Sequence, residues 1–178
     1  MQPWILWTAG VPLSTCDSII SRSLSIDPVA ATLGAEGLSD KEYRSSDLRW
    51  LSPQDEHNDI SILLMKFVNH ANRTNYGFDI RFGMNELQFT EYHAEDNGRY
   101  DFHNDVLMSS DTPYQRKLSV VVQLSEVDEY EGGQFEFFNK IQPGNMFLPK
   151  GSVIVFPSFL EHRVLPVTKG TRRSLVSW

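Results

Sequence analysis

The sequence has one cysteine, Cys16, and no apolar run long enough to cross a membrane. A lone cysteine excludes an intramolecular disulfide and any CxxC zinc or redox motif. Basic residues are also few, because 16 Lys and Arg stand against 23 Asp and Glu, a formal charge of −7. This balance disfavours a protein whose main partner is a phosphate backbone.

The N-terminus lacks the features of a targeting segment. No Lys or Arg precedes Arg22, so the positive region of a signal peptide is missing, and Pro12 interrupts the first apolar residues. We therefore expect residues 4–7 to form a first strand packed on the core, and the protein to be cytoplasmic with no membrane partner.

The patterning predicts one domain over residues 1–178 whose first part, to about residue 85, supports the rest. Residues 14–23 have weak helical spacing. A clearer helix is predicted to begin at Ser52-Pro53-Gln54-Asp55 and to end at Asn75-Tyr76-Gly77. Its apolar residues recur at helical spacing, so one face should pack on the core. They are Ile60, Leu63, Leu64, Phe67, Val68 and Ala71.

From about residue 86, short strands alternate with turn signals at Asn97-Gly98, typical of a hairpin, and at Gly132-Gly133. About seven or eight strands behind a helical layer predict an α+β, mainly β fold. The architecture expected is a double-stranded β-helix, or jelly roll, with supporting N-terminal helices. Periodicity alone leaves an ordinary sandwich open. The segments predicted as strands are 87–92, 117–124, 134–138, 152–156, 162–167 and 172–178.

Three histidines are followed two residues later by a carboxylate: His57 with Asp59, His93 with Glu95, and His103 with Asp105. On a strand residues i and i+2 share one face, whereas on a helix they lie ~200° apart. The first pair falls in the first turns of the predicted helix, where we expect solvated capping, and the second falls in a loop. The third lies at a strand end, so it is the pair with the geometry for a metal.

A further ligand must come from another element. His70 lies at the edge of the helical stripe and is predicted on the surface, whereas His162 opens a strand. Two histidines and one carboxylate form the facial triad that leaves iron(II) three open positions, although the same ligands also suit zinc or manganese. Arg172, ten residues past His162, has the guanidinium fork that would suit the distal carboxylate of 2-oxoglutarate.

Three segments stand in order along the second half of the chain: Tyr92…Gly98-x-Tyr100-x-x-His103-x-Asp105, then Tyr130-Glu131-Gly132-Gly133, then His162-Arg163-Val164-Leu165-Pro166-Val167-Thr168-Lys169-Gly170-Thr171-Arg172…Trp178. Together they resemble the prolyl 4-hydroxylase-like 2-oxoglutarate/iron(II) dioxygenases. The last segment especially resembles the PKHD-type hydroxylases of bacteria and phages. The resemblance covers about residues 86–178, half of the chain.

The resemblance implies that His103, Asp105 and His162 bind iron and that Arg172 anchors 2-oxoglutarate, with Tyr92 beside it. Trp178 shares the strand face of Arg172, so it is expected to pack near the same pocket. Gln123 departs from the family, whose members often carry an aromatic residue there. The segment Arg44-Ser45-Ser46 is similar to a family strand near the substrate cleft.

The activity implied by the resemblance uses Fe(II), 2-oxoglutarate and O2, with ascorbate as reductant, and releases succinate and CO2. The substrate implied is a side chain of a peptide or protein, proline in the first place. In a phage-encoded protein the compartment would be the host cytoplasm.

Two other functions stay open. The first is a nucleic-acid oxidative demethylase of the same superfamily, which the acidic charge disfavours although Arg163, Lys169 and Arg173 could form a small basic patch. The second is a non-catalytic metal-binding jelly roll that acts as a sensor.

Overall fold

The computed structural model describes residues 2–31, 40–80, 84, 86–106 and 115–178. None of the helices in these ranges is long and apolar enough to span a membrane. In chain order the elements are β1 (Ile5–Trp7), α1 (Leu13–Leu24), β2 (Val29–Ala30), β3 (Arg44–Ser45), β4 (Asp47–Leu51), α2 (Asn58–Ala71), β5 (Leu87–His93), β6 (Arg99–His103), β7 (Leu118–Gln123), β8 (Tyr130–Gly132), β9 (Phe135–Phe137), β10 (Val153–Pro157), β11 (His162–Val164) and β12 (Val167–Ser177).

A large antiparallel sheet faces a smaller one. The large sheet runs β1-β10-β7-β12-β5-β4-β2, with β8 paired to the first part of β12, and the smaller sheet runs β3-β6-β11-β9. Neighbouring strands are mostly distant in sequence, as in jelly rolls, where the chain passes repeatedly between two sheets. This arrangement confirms the predicted jelly-roll core.

Alternation along the strands of the large sheet produces two apolar cores. On β10, Val153 and Val155 face the helices and pack with buried residues such as Leu64 of α2. Ile154 and Phe156 point to the other side, where they pack against the smaller sheet. One face of the large sheet is therefore covered by α1 and α2, and the other face packs against the smaller sheet.

The long helix begins later than predicted. Residues Asp55–His57 form a 3-10 turn, and α2 starts at Asn58 without a side-chain cap. His57 is 6% exposed, so the prediction of a solvated capping residue is wrong. The end is close to the prediction: a π-helical turn over Asn72–Tyr76 stops at Gly77, whose φ of 70° favours glycine.

The turn at Asn97-Gly98 forms, but it does not make the predicted hairpin. β5 pairs with β4 and β12, whereas β6 pairs with β3 and β11, so the turn carries the chain from the large sheet to the smaller one. A Cβ on Gly98 would lie 2.6 Å from the backbone nitrogen of His93, which explains the glycine. His93 itself ends β5 and is not a loop residue as expected.

The strand β4 was not among the predicted strands. It adds to the large sheet next to β5, with Leu48 and Leu51 buried. These two are three residues apart and Trp50 between them is 42% exposed, so the period-two pattern typical of a half-buried strand is missing. Pairing with β5 therefore decides its conformation.

A buried carboxylate on the outer face ties three strands of the large sheet together. Glu91 of β5 is 4% exposed and accepts hydrogen bonds from Arg49 of β4 and from Arg173 of β12, the latter at 2.9 Å. Burial acts to raise the pKa of Glu91, but the hydrogen bonds from Arg49 and Arg173 outweigh it and lower the pKa below its ordinary value. Glu91 is therefore ionised at neutral pH.

We expect Glu91→Gln to lower the free energy of unfolding at pH 7 by about 2 kcal/mol, because it leaves two arginines without their shared anion. The loss is moderate because Arg173 is partly exposed to solvent. The folded-state pKa is depressed, so this stabilisation is present above the unfolded pKa of about 4.3 and is lost as the pH falls below it. Urea unfolding of both proteins at pH 7 and near pH 3.5 measures it.

The control is Asp59→Asn, which breaks an exposed pair with Arg22 and should leave the unfolding midpoint almost unchanged. A difference between Glu91→Gln and the parent that stays the same at both pH values would contradict an ionised Glu91.

Candidate metal centre and anion pocket

The two histidines of the predicted metal site come together through strand pairing in the smaller sheet. His103 is the last residue of β6 and His162 is the first residue of β11, and these two residues are direct partners across the antiparallel pair. Asp105 lies two residues beyond the end of β6. The ligand atoms of the three side chains all lie within 4.8 Å of one another, and no other such cluster occurs in the described ranges.

Hydrogen bonds fix which nitrogen of each histidine faces the cluster. His103 Nδ1 lies 2.8 Å from the carbonyl oxygen of Asp101, and His162 Nδ1 lies 2.9 Å from that of Leu160. Because a carbonyl can only accept, each Nδ1 carries the proton. Each Nε2 therefore presents a lone pair to Asp105, at 3.8 Å from its Oδ1 for His103 and 3.6 Å from its Oδ2 for His162.

Asp105 is held by two serines, Ser119 in β7 and Ser158 directly after β10. Ser119 Oγ of β7 donates to Asp105 Oδ2 at 2.6 Å and lies 3.0 Å from Ser158 Oγ. The backbone nitrogen of Asp105 donates to the carbonyl of Ser158 at 2.8 Å. The carboxylate is thereby oriented from both its side chain and its backbone.

The electrostatics keep the carboxylate charged and an imidazole neutral. Burial is the largest influence on both groups: it lowers the pKa of His103, and it acts to raise that of Asp105. For Asp105 the nearby His162 and His103, the Ser119 hydroxyl and the Trp178 side chain outweigh burial, and its pKa is lowered. One anionic oxygen and imidazole nitrogen lone pairs are the donor set of a divalent transition-metal site.

Neither of the other two His-x-carboxylate pairs forms a site. Asp59 pairs with Arg22 at 2.9 Å, away from the buried His57. His93 lies 3.5 Å from Asp47 and 3.1 Å from the hydroxyl of Thr171. The structure therefore singles out the His103 pair, which is the pair that strand geometry favoured.

Arg172 lies on the inward face of the large sheet and is 1% exposed. Its Cα pairs with that of Tyr92 on β5, and its guanidinium carbon lies 5.7 Å from the centre of the Tyr92 ring. No acceptor within the described residues contacts its Nη2 atom. A buried guanidinium with an unused donor can bind a carboxylate, whose charge and geometry it complements.

Tyr92 connects this pocket with the metal cluster. Burial raises the pKa of Tyr92. The charges of Arg44 and Arg172 act to lower it, and the charge of Asp105 acts to raise it. The phenol therefore stays protonated and keeps a donor beside Arg172. Arg173, the next residue along β12, points to the other face, where it pairs with Glu91. Arg172 and Arg173 therefore lie on opposite faces of β12, as adjacent residues of a strand do.

Trp178 contacts a second arginine, since the guanidinium carbon of Arg116 lies 3.8 Å from its ring centre. Its place beside the Arg172 pocket stays a prediction. Arg44 is 9% exposed and its guanidinium carbon lies 4.2 Å from the ring centre of Tyr100, which in turn stacks on His103. Tyr100 and Arg44 therefore lie on the His103 side of the metal cluster.

Sequence reasoning missed Ser119, Ser158 and Arg116. Ser119 carried one usable signal, because a serine that alternates with valines on a central strand must be buried and needs a partner. Ser158 and Arg116 lie outside strands, where no periodicity reveals the direction of a side chain.

Comparison with known proteins relates the second half of the chain to one family. The sequence model described as the 2OG-Fe(II) oxygenase superfamily matches residues 87–178. Among curated relatives, a PKHD-type hydroxylase of Shewanella oneidensis is 33% identical over 90 residues, and one of Hyphomonas neptunium is 36% identical over 81 residues. These alignments cover 51% and 44% of this chain but only 40% and 36% of the relatives.

Solved structures share the fold over nearly the whole chain. A Pseudomonas putida prolyl-4-hydroxylase superposes with a TM-score of 0.75 at 22% identity, covering 100% of this chain and 92% of that one. A viral collagen prolyl hydroxylase from Paramecium Bursaria Chlorella virus-1, solved with 2OG, gives 0.72 at 22% identity, covering 99% and 95%. The matched segment includes His103, Asp105, His162 and Arg172, and the chain belongs to the 2OG-Fe(II) oxygenase superfamily.

Proposed function

We propose that this chain is an Fe(II)- and 2-oxoglutarate-dependent dioxygenase that hydroxylates a side chain of a peptide or protein, with proline as the first candidate, and releases succinate and CO2. One observation carries the proposal: a His103–Asp105–His162 cluster, in which His162 is buried and the other two are partly buried, occurs in the same inter-sheet space as a buried arginine, Arg172, that has an unused donor. A metal site alone would not need the arginine.

Different residues of the chain would bind the metal, bind the cosubstrate and exclude water. Bound iron and 2-oxoglutarate supply the oxidation, while the protein supplies orientation and a shielded site. Asp105, His103 and His162 would hold the metal, and three protein ligands would leave coordination positions for the cosubstrate and O2. Arg172 and the protonated Tyr92 hold the far end of the cosubstrate, and the apolar residues between the sheets exclude water. Ascorbate is expected to keep the iron reduced.

A peptide substrate is supported by the solved relatives. The two structures named above are prolyl hydroxylases, and a third, from Trichoplax adhaerens, is a prolyl hydroxylase in complex with a peptide fragment of a hypoxia inducible factor (TM-score 0.76, 16% identity, 100% of this chain and 83% of that one).

The basic patch that would support a nucleic-acid demethylase consists of cations that are already paired. Arg163 pairs with Glu136 at 2.8 Å, Lys169 with Glu131 at 2.9 Å, and Arg173 with Glu91 at 2.9 Å. Because each of the three cations already has a carboxylate partner, they do not form a free basic patch. Together with the charge of −7, this disfavours nucleic acid as the substrate.

The proposal is tested by incubating the purified protein with Fe(II), ascorbate and carboxyl-labelled 2-oxoglutarate, with and without proline-rich peptides. We expect labelled CO2 and an equal amount of succinate, stimulated by the peptide that gains one oxygen atom. Absence of CO2 release from protein shown to contain iron and to bind 2-oxoglutarate would favour the sensor instead.

His103→Ala, Asp105→Ala and His162→Ala should each remove Fe(II) binding, because two remaining ligands hold the ion too weakly. Iron content after dialysis, measured by absorption spectrometry, and CO2 release should fall together to background. His93→Ala is the matched control, since this histidine ends a neighbouring strand outside the cluster. Iron loss in His93→Ala as large as in His103→Ala would show that the cluster was chosen wrongly.

Arg172→Ala should weaken 2-oxoglutarate binding by at least ~30-fold while iron content stays near normal, because the distal carboxylate loses its buried partner. Arg173→Ala should change that affinity by no more than a few-fold, but it should lower the unfolding midpoint because it breaks the contact with Glu91. Calorimetric titration of both variants separates the two effects. An equal loss of affinity in both would contradict the assignment of Arg172.

A further inference from the structure

Two buried hydroxyls lie in a row next to the carboxylate of Asp105. Ser119 Oγ is 2.6 Å from Asp105 Oδ2 and 3.0 Å from Ser158 Oγ, and both serines are 0% exposed. Backbone hydrogen bonds fix the ends of this row. The nitrogen of Asp105 donates to the carbonyl of Ser158 at 2.8 Å, and the nitrogen of Ser158 donates to the carbonyl of Lys117 at 3.0 Å.

The direction of the hydrogens in this row follows from counting donors. The pKa of Asp105 is lowered, so its carboxylate is ionised and carries no hydrogen. The hydrogen of the 2.6 Å contact therefore belongs to Ser119. Because a serine has one hydroxyl hydrogen, Ser119 has none left for Ser158 and must accept from it. The hydrogens run from Ser158 to Ser119 to Asp105, and the first bond strengthens the second.

The two oxygens of Asp105 therefore differ. Oδ2 accepts a short hydrogen bond that its charge strengthens, and this bond occupies one of its lone pairs. Oδ1 is the oxygen nearest to His103 Nε2, at 3.8 Å, whereas Oδ2 lies 3.6 Å from His162 Nε2. Both oxygens are thus close enough to the cluster to bind one ion, and a carboxylate can bind through one oxygen or through both.

The number of bound oxygens decides how many positions stay open on a six-coordinate ion. Two histidines and one oxygen leave three positions, of which 2-oxoglutarate, bound through two atoms, would take two. If both oxygens of Asp105 bound the ion, only two positions would be left. The cosubstrate would then fill both of them, and no position would remain for O2.

We propose that Ser119 restricts Asp105 to a single metal-bound oxygen, Oδ1, and thereby keeps one coordination position free beside bound 2-oxoglutarate. This inference rests on the proposed function. Ser119 is a positioning residue, because it acts through Asp105. Without its hydroxyl, Oδ2 loses its hydrogen-bond donor and takes the position that O2 needs.

The test counts exchangeable water molecules on Mn(II), which replaces Fe(II) so that the readout does not depend on turnover. Water-proton relaxation and the broadening of the Mn(II) resonance in isotopically labelled water both report them. Saturating 2-oxoglutarate should leave the parent protein with about one of three bound waters and Ser119→Ala with none. The Mn(II) affinity of Ser119→Ala should change by less than ~10-fold, because the ion gains one oxygen ligand while Asp105 loses its hydrogen bond.

A purely structural role of Ser119 predicts a different pattern. If Ser119 only held Asp105 in place, its removal would weaken Mn(II) binding by ~10–100-fold and would leave the last water on the ion. The affinity and the number of waters together therefore separate the two roles. Ser119→Thr keeps a hydroxyl and should retain the water.

Ser177→Ala is the matched control. Ser177 is also 0% exposed in the large sheet, and its hydroxyl donates to the carbonyl of Glu86 at 2.6 Å. Its partner across the strands, Val120, belongs to the core under the helices, so the lost hydrogen bond lies on the other face from the metal cluster. Ser177→Ala should keep the water of the parent.

Three results would overturn the inference: a water retained in Ser119→Ala, a water lost in Ser177→Ala, or a water lost in Ser119→Thr, each in a variant whose melting temperature shows that it is folded. If 2-oxoglutarate displaces water from Mn(II) in the parent but Ser119→Ala keeps the last one, only the role of Ser119 is wrong. If 2-oxoglutarate displaces no water in the parent, the proposed function itself fails.

Discussion

The pairing of β6 with β11 is the constraint on which the site depends. It sets His103 opposite His162, and the backbone carbonyls of Asp101 and Leu160 then turn each Nε2 toward the same point. Asp105 reaches that point because Ser119 and the backbone of Ser158 hold it from the large sheet. The metal cluster is therefore built across the gap between two sheets, and any shift of one sheet against the other would separate its parts.

The charges of the inter-sheet space match the ligands proposed for it. Asp105 is an anion, Arg172 is a cation, and burial lowers the pKa of His103 so that this imidazole stays neutral. A divalent ion added to these groups leaves two positive charges in excess. A dicarboxylate such as 2-oxoglutarate carries two negative charges and would offset this excess, while Arg44, which is 9% exposed and lies over Tyr100, adds one further positive charge. Glu91, on the outer face, compensates Arg173 separately.

The sequence was informative wherever the spacing of residues indicates the face on which a side chain lies. Residue spacing on a strand favoured His103 and Asp105 over the other histidine pairs, and the family resemblance pointed to Arg172, which the structure buries on the inward face. Patterns that depend on the partner strand were not informative. The strand Asp47–Leu51 has no clear alternation of buried and exposed residues. The role of the Ser119 hydroxyl becomes apparent only when the fold places Asp105 beside it. Which sheets a turn connects is decided by long-range pairing, so Asn97-Gly98 was read as a hairpin.

The central claim is that iron and 2-oxoglutarate meet in one site, and optical titration under anaerobic conditions tests it most directly. Adding 2-oxoglutarate to the Fe(II)-loaded protein should produce a weak visible charge-transfer band, because the keto acid must contact the metal to bind. The band should saturate at one equivalent and should not appear with zinc, which has no accessible redox state. A protein that demonstrably holds Fe(II) and binds 2-oxoglutarate without any such band would contradict the account.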